Sequence, residues 1–310
     1  MRNSEPATVA LGRWPTPLQP VDDGLWIKRE DQCCFAFGGS KVRALEPILA
    51  RALESGARSV VTGGRRDSNW LALMAFAARR LGLQLHAVVD PGSNVTTSIR
   101  LMALWGARIH ESDAPGAGPV NARIARLADT LDAHPVARAG ASAAGVGGYG
   151  PLAAEILEAV PDGPVDVVVG VGSGALAAGL ALGFHRRLGT GAAGGVRICA
   201  IPAAGGPADA CRAIGRLAHV AGPAIADVAL RRVEVLPRIP TGGAAAAVAS
   251  WAGVLLDPVF VGPAWQGYLS VPRAGRAAIL VASGGLTGFL DDVAGPPPPV
   301  PIVAGEERSR

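Results

Sequence analysis

Residues 165–188 read VDVVVGVGSGALAAGLALGFHRRL, and this stretch decides the fold class. Its first five residues are β-branched and apolar apart from Asp166, the signature of a strand buried on both faces. Three glycines follow in the turn Gly170-Val171-Gly172-Ser173-Gly174-Ala175. The pattern then changes to a small-residue helix over 175–188. Backbone N–H groups at such a strand-to-helix turn point at an anion, and the helix dipole reinforces them. The spacing also matches the GxGxxA form of a dinucleotide fingerprint, which asks for an acidic residue at the end of the next strand. That strand ends Cys199-Ala200-Ile201-Pro202, with no carboxylate. A phosphate cradle and a purely structural turn therefore stay open, and a dinucleotide is disfavoured.

The same alternation extends in both directions. Strands are predicted over 25–27, 59–62, 85–89, 107–109, 165–169, 196–201 and 278–282. Helices are predicted over 41–53, 69–81, 98–105, 121–133, 152–160 and 175–188. Strands alternating with helices imply an α/β fold of parallel sheets flanked by helices. The glycine-rich segment 140–150 reads as a hinge between two lobes, the smaller over 46–148 and the larger over 1–45 and 149–310. The Pro-rich tail, 296–310, reads as extended or disordered.

Composition narrows the function classes. With 49% hydrophobic and 17% charged residues over 310 positions, the chain is globular. The net charge of +4 comes from scattered arginines that nowhere form a run of five or more, so no nucleic-acid partner is expected. No apolar run is long enough to span a membrane, and the first residues lack a secretory core, so a cytoplasmic protein is expected. Cys33, Cys34, Cys199 and Cys211 have no zinc-ligand spacing and fit a reduced compartment. The five histidines show no metal spacing either.

Of 29 basic residues, only Lys28 and Lys41 are lysines. A guanidinium stays protonated, whereas a desolvated lysine can lose its proton and attack an aldehyde. Lys41 follows Phe37-Gly38-Gly39-Ser40 at a predicted helix start, where the helix N-terminus disfavours the ammonium. On spacing alone an ordinary surface lysine stays open.

The segments LGRWPTPLQP (11–20), LWIKRED (25–31), FGGSKVRALE (37–46), VVTGGRRDSNW (60–70), the 165–184 stretch, GVLLDPVFVG (253–262) and LVASGGLTG (280–288) come in one order. Together they resemble the 1-aminocyclopropane-1-carboxylate deaminase and D-cysteine desulfhydrase family. The resemblance implies a two-lobed, tryptophan-synthase-β-like fold (fold type II) with pyridoxal 5'-phosphate between the lobes. It implies that Lys41 carries the cofactor as a Schiff base and removes Cα–H from a small amino acid substrate. It further implies that Ser68 and Asn69 hold the substrate carboxylate and the cofactor's phenolic oxygen, with Ser68 assisting catalysis. Gly172, Ser173, Gly174 and Ala175 would take the phosphate, and Ser283 would face the pyridine nitrogen. A homodimer follows by the same analogy.

The chain also departs from the family's pattern. Asp67 replaces a Gln, Trp70 follows Asn69, and Leu176 stands where a Thr is usual. Phe260 and Val261 replace a Tyr and a polar neighbour. Pro237-Arg238-Ile239-Pro240, before Thr241, replaces a segment bearing another Tyr. Losing those phenols removes proton donors. Trp70 and Phe260 are then expected to form an apolar substrate wall. The expected activity is α,β-elimination or β-replacement on a small amino acid. The alternatives are opening of a cyclopropane amino acid, and a cofactor-binding protein without catalysis.

Overall fold

The computed structural model describes residues 9–160, 163–189, 195–239, 253–272 and 275–293. The Pro-rich tail expected over 296–310, and Pro240 and Thr241, lie outside the described residues. By contacts the chain divides into two compact units, one of 1–9, 47–140 and 287–310, the other of 10–46 and 141–286.

The first unit holds a four-stranded, all-parallel sheet of order β5-β4-β3-β6: β3 (Ser59–Gly64), β4 (Gln84–Val89), β5 (Arg108–Glu111) and the short β6 (His134–Pro135). Helices α2 (Asn69–Arg80), α3 (Thr97–Leu104) and α4 (Ala117–Leu131) connect the strands. Val61, Val88, Val120, Ile124 and Leu127 build a core cluster. Gly63 is needed there, since a Cβ would stand 2.5 Å from Val120 and 2.8 Å from the Val88 carbonyl. Within this unit, buried His86 on β4 stacks on His110 of β5, with Nδ1 and Nε2 3.0 Å apart.

The second unit holds a six-stranded sheet of order β1-β2-β10-β7-β8-β9. Its strands are β1 (Leu18–Asp22), β2 (Leu25–Lys28), β7 (Val165–Val171), β8 (Val196–Pro202), β9 (Val233–Val235) and β10 (Ala277–Val281). Only β1 runs antiparallel, as a hairpin edge on β2. Helices α5 (Ala143–Gly147), α6 (Gly150–Ala159), α7 (Ala175–Leu188), α8 (Pro207–Ala221), α9 (Ala226–Leu230) and α10 (Val261–Leu269) belong to it. Strand β7 is buried apart from Gly170 and extends two residues past the expected end, because Gly170 and Val171 still pair with Ile201 and Pro202. Its one charge, Asp166, is fully buried and accepts from Arg197, Arg276 and the Tyr268 hydroxyl, as a buried carboxylate requires.

Helix α1 (Lys41–Glu54) begins in the second unit and continues into the first. Pro47 lies inside it and has no N–H for the Arg43 carbonyl. Gly148 presses on that carbonyl so closely that a Cβ would stand 2.1 Å from it. The segment expected as a hinge over 140–150 thus contains the short helix α5 and this close contact. Residues 286–293, read from sequence as part of the larger lobe, form α11 (Leu286–Val293), and from Thr287 onward cluster with the first unit. The reason is local bonding: Thr287 bonds to Asn69 and Ser98, and Asp291 accepts from the Thr97 N–H at 2.6 Å.

Among the described residues, no helix is long and apolar enough to cross a membrane, and no group of three or more His, Cys, Asp or Glu could hold a metal ion.

Candidate functional site

The two lysines have opposite surroundings. Lys28 is 2% exposed, and its Nζ donates to the Thr16 carbonyl at 2.5 Å and to Glu155 at 2.6 Å. Glu155 also binds Arg43, whose guanidinium grips Glu30 at 2.7 Å beneath the Trp14 ring. Lys28 is therefore one member of a saturated buried ion network. Lys41, the first residue of α1, has no hydrogen bond or ion pair among the described residues. Part of its surface stays accessible, yet enough protein surrounds Nζ that burial lowers its pKa, opposed by the charge of Asp257. An amine of this kind reaches its neutral, nucleophilic form more readily than an exposed lysine does.

Phe260 gathers the second unit's expected site residues around this amine. Its ring centroid lies 4.9 Å from Lys41 Nζ. Its backbone lies against Gly170 and its ring against Gly172, where added Cβ atoms would stand 2.7 Å and 2.9 Å from it. The glycine turn is thus shaped around Phe260 as well as around an anion. Gly174 takes φ +88°, and a Cβ there would stand 2.9 Å from the Ile214 nitrogen, so only glycine serves. Ser173 Oγ accepts from the Ala175 N–H at 3.4 Å at the start of α7.

Phe260 is held in turn by Asp257, a residue the sequence reading left without a role. Asp257 is 3% exposed and accepts from the N–H groups of Val259 (3.0 Å), Phe260 (2.7 Å) and Val261 (3.0 Å) ahead of α10. Gly285, at φ +116°, lets the segment 283–285 pack on this carboxylate, since a Cβ would stand 2.3 Å from it. The Ser283 carbonyl accepts from the Ser40 N–H at 3.1 Å, one residue before Lys41. The Ser283 hydroxyl has no hydrogen-bond partner among the described residues. Lys41, Gly172, Ser173, Gly174, Ala175, Phe260 and Ser283 therefore all lie in the second unit, tied through these contacts.

A buried amine at a helix start and a strand-to-helix turn that tolerates no Cβ at Gly172 or Gly174 fit an aldehyde that also bears a phosphate. A profile described as "Pyridoxal-phosphate dependent enzyme" matches residues 9–251. The chain belongs to the pyridoxal-phosphate dependent enzyme family. Its relatives include D-cysteine desulfhydrase of Salmonella choleraesuis (strain SC-B67), 32% identical over 285 residues, 82% of this chain and 85% of that protein. Nocardicin C-9' epimerase of Nocardia uniformis subsp. tsuyamanensis is 42% identical over 102 residues, and the match spans only 31% of either chain. Among solved structures, an ACC deaminase homologue superposes with a TM-score of 0.81 at 26% identity, over 93% of this chain and 95% of that one. The fold expected from sequence, fold type II with parallel sheets flanked by helices, is the fold found.

Ser68, Asn69 and Trp70 lie in the first unit, at the turn from β3 into α2. Ser68 occupies the N-cap position, yet its hydroxyl makes no cap hydrogen bond. It has no partner among the described residues, so the simple capping role that Ser often fills is not the one it has. Asn69 Oδ1 accepts from the Thr287 hydroxyl. Trp70 is packed inside this unit. It is 1% exposed, with its indole N–H donating to Thr62 Oγ1 at 3.3 Å. Its indole reaches Thr62 of β3 from the first turn of α2.

Proposed function

We propose that the protein is a lyase or deaminase that takes a small amino acid through elimination or replacement at Cβ. The observation that carries this reading is Lys41 at the head of α1, its amine stripped of hydrogen-bonded partners and beside Phe260. Relatives named D-cysteine desulfhydrase, similar over most of both chains, support it.

Pyridoxal phosphate supplies an aldehyde that takes the amino group and a ring that accepts the electron pair released at Cα. The N–H groups of the turn 172–175, with Ser173 Oγ beside them, would receive its phosphate, and by the family resemblance Asn69 would serve its ring oxygen and Ser283 its ring nitrogen. A hydroxyl such as that of Ser283 at the ring nitrogen would leave that nitrogen largely unprotonated. This weakens the electron sink and suits early loss of a Cβ substituent over a long-lived carbanion. Ser68 Oγ, uncommitted as a cap, receives the substrate carboxylate. Lys41 Nζ, whose pKa burial lowers, would remove the Cα proton. Phe260 limits water at that amine and has no phenol to carry protons. The assembly is proposed to be a homodimer by analogy with the family, which light scattering of the purified protein tests.

The test is a substrate panel of D- and L-cysteine, D- and L-serine and 1-aminocyclopropane-1-carboxylate, scored for keto acid, ammonia and sulfide. The reading expects product from amino acids bearing a Cβ leaving group, none from the cyclopropane, and none from Lys41→Ala. Full turnover by Lys41→Ala would sink it.

A second reading, epimerisation at Cα, is favoured by the 102-residue match to Nocardicin C-9' epimerase. Inverting Cα by a two-base route takes one group to remove a proton and another to return it, roles for which Lys41 and Ser68 would be the candidates. Exchange of the Cα hydrogen with deuterated water, without keto acid, distinguishes this outcome.

A further inference from the structure

We infer that Thr287 is a positioning residue that turns the Asn69 side-chain amide so that its N–H end is offered to the cofactor's ring oxygen. The inference rests on the reading of Asn69 as a cofactor ligand given above, and it adds a residue to which neither the sequence nor the relatives assign a role.

Two hydrogen bonds carry it, both within the first unit. Ser98 Oγ donates to Thr287 Oγ1 at 3.3 Å, and Thr287 Oγ1 donates to Asn69 Oδ1. A hydroxyl has one proton. With Ser98 donating into Thr287, the proton of Thr287 goes to the Asn69 carbonyl. That end of the amide is thereby occupied, and Asn69 Nδ2 has no partner among the described residues. Ser98 and Thr287 are 0% and 1% exposed, so water does not compete for the relay. The Asp291 bond to the Thr97 N–H ties α11 to the first turn of α3 and keeps Thr287 beside Ser98.

The two ends of an asparagine amide have nearly the same shape, so an unanchored Asn69 presents either. A carbonyl turned toward an anionic ring oxygen repels it, while an N–H draws electron density from it. With the donor in place, that oxygen competes less for the proton it shares with the Lys41 nitrogen, and the bound cofactor's visible band titrates at lower pH.

The test compares wild type, Thr287→Val, Thr287→Ser, Ser98→Ala and Asn69→Ala, each loaded with pyridoxal phosphate. The readouts are the pH midpoint of the visible band and the dissociation constant, followed by protein fluorescence as cofactor is added to apoprotein. Thr287→Val is expected to raise the midpoint by roughly half a unit to one unit and to weaken binding about three- to tenfold. Asn69→Ala moves both at least as far, Ser98→Ala moves them less, and Thr287→Ser stays with wild type. A folded Thr287→Val with wild-type midpoint and affinity, beside a shifted Asn69→Ala, overturns the positioning role and leaves Asn69 a ligand. No shift in Asn69→Ala overturns both. Should Thr287→Val fail to fold, a Ser98→Ala protein identical to wild type overturns the relay.

Discussion

The Phe260 ring stands over the Lys41 amine, its centroid 4.9 Å from Nζ. Ring and charge attract, but the same ring keeps water from the amine, and burial is the larger influence on Lys41. Removing the ring therefore admits water and stabilises the ammonium. Phe260→Ala is expected to raise the Lys41 pKa toward its ordinary 10.5. The pH dependence of reductive methylation of the apoprotein, read at Lys41 by mass spectrometry, checks this. A midpoint that falls would mean that the ring's attraction dominates.

Asp257 is expected to matter for stability as well as for the site. Its carboxylate takes three backbone N–H groups at the start of α10, all unpaired without it. Asp257→Ala should lower stability by about 1–3 kcal/mol, measured by urea unfolding. It should also loosen Phe260 and weaken cofactor binding. An unchanged unfolding midpoint would show that water replaces the carboxylate without loss.

Trp70 is packed within its unit, and a structural role is proposed for it. Trp70→Phe loses the bond to Thr62 and part of a filled volume, at a cost of about 1–3 kcal/mol. KM for any accepted amino acid should stay at the wild-type value while stability drops. A raised KM with unchanged stability would return Trp70 to the pocket.

The His86–His110 pair gives stability a pH dependence. Burial, with His110 and Arg108 nearby, pushes His86 down to about 4 from 6.5. The unfolded chain then binds the extra proton first as pH falls. Stability is whole above pH 6.5 and declines as pH falls toward 4, by an amount on the order of 1–3 kcal/mol. His86→Gln should flatten that decline, as followed by urea midpoints between pH 7.5 and 4.5. An equally steep decline in the variant would assign it to other groups.

Much of this was legible in the sequence, because long alternating segments carry their period openly. The helix over 175–188 was read to the residue, since small apolar residues repeat there without interruption. Strands β1, β6 and β9 were not read, being five, two and three residues long at sheet edges, where burial leaves little pattern. Helix α10 was missed because Gly262, Pro263 and Gly267 lie inside it and read as a loop. The Lys41 segment and the glycine turn stood out by residue type, and the Ser-Asn pair by the family resemblance. Thr287 did not, because its partner Asn69 is 218 positions away and threonine carries no signature of its own. Composition says that Trp70 is apolar, but only the packed helix says which way it points.

Lys41 is proposed as the residue that joins the cofactor. The most direct measurement is the visible absorption spectrum of purified wild type beside Lys41→Ala after adding pyridoxal phosphate, with borohydride reduction and peptide mapping of the wild type. A protein-bound visible band is expected in wild type and not in the variant, with the reduced cofactor mapping to the peptide containing Lys41. The same band in Lys41→Ala, or a label on Lys28, would contradict it.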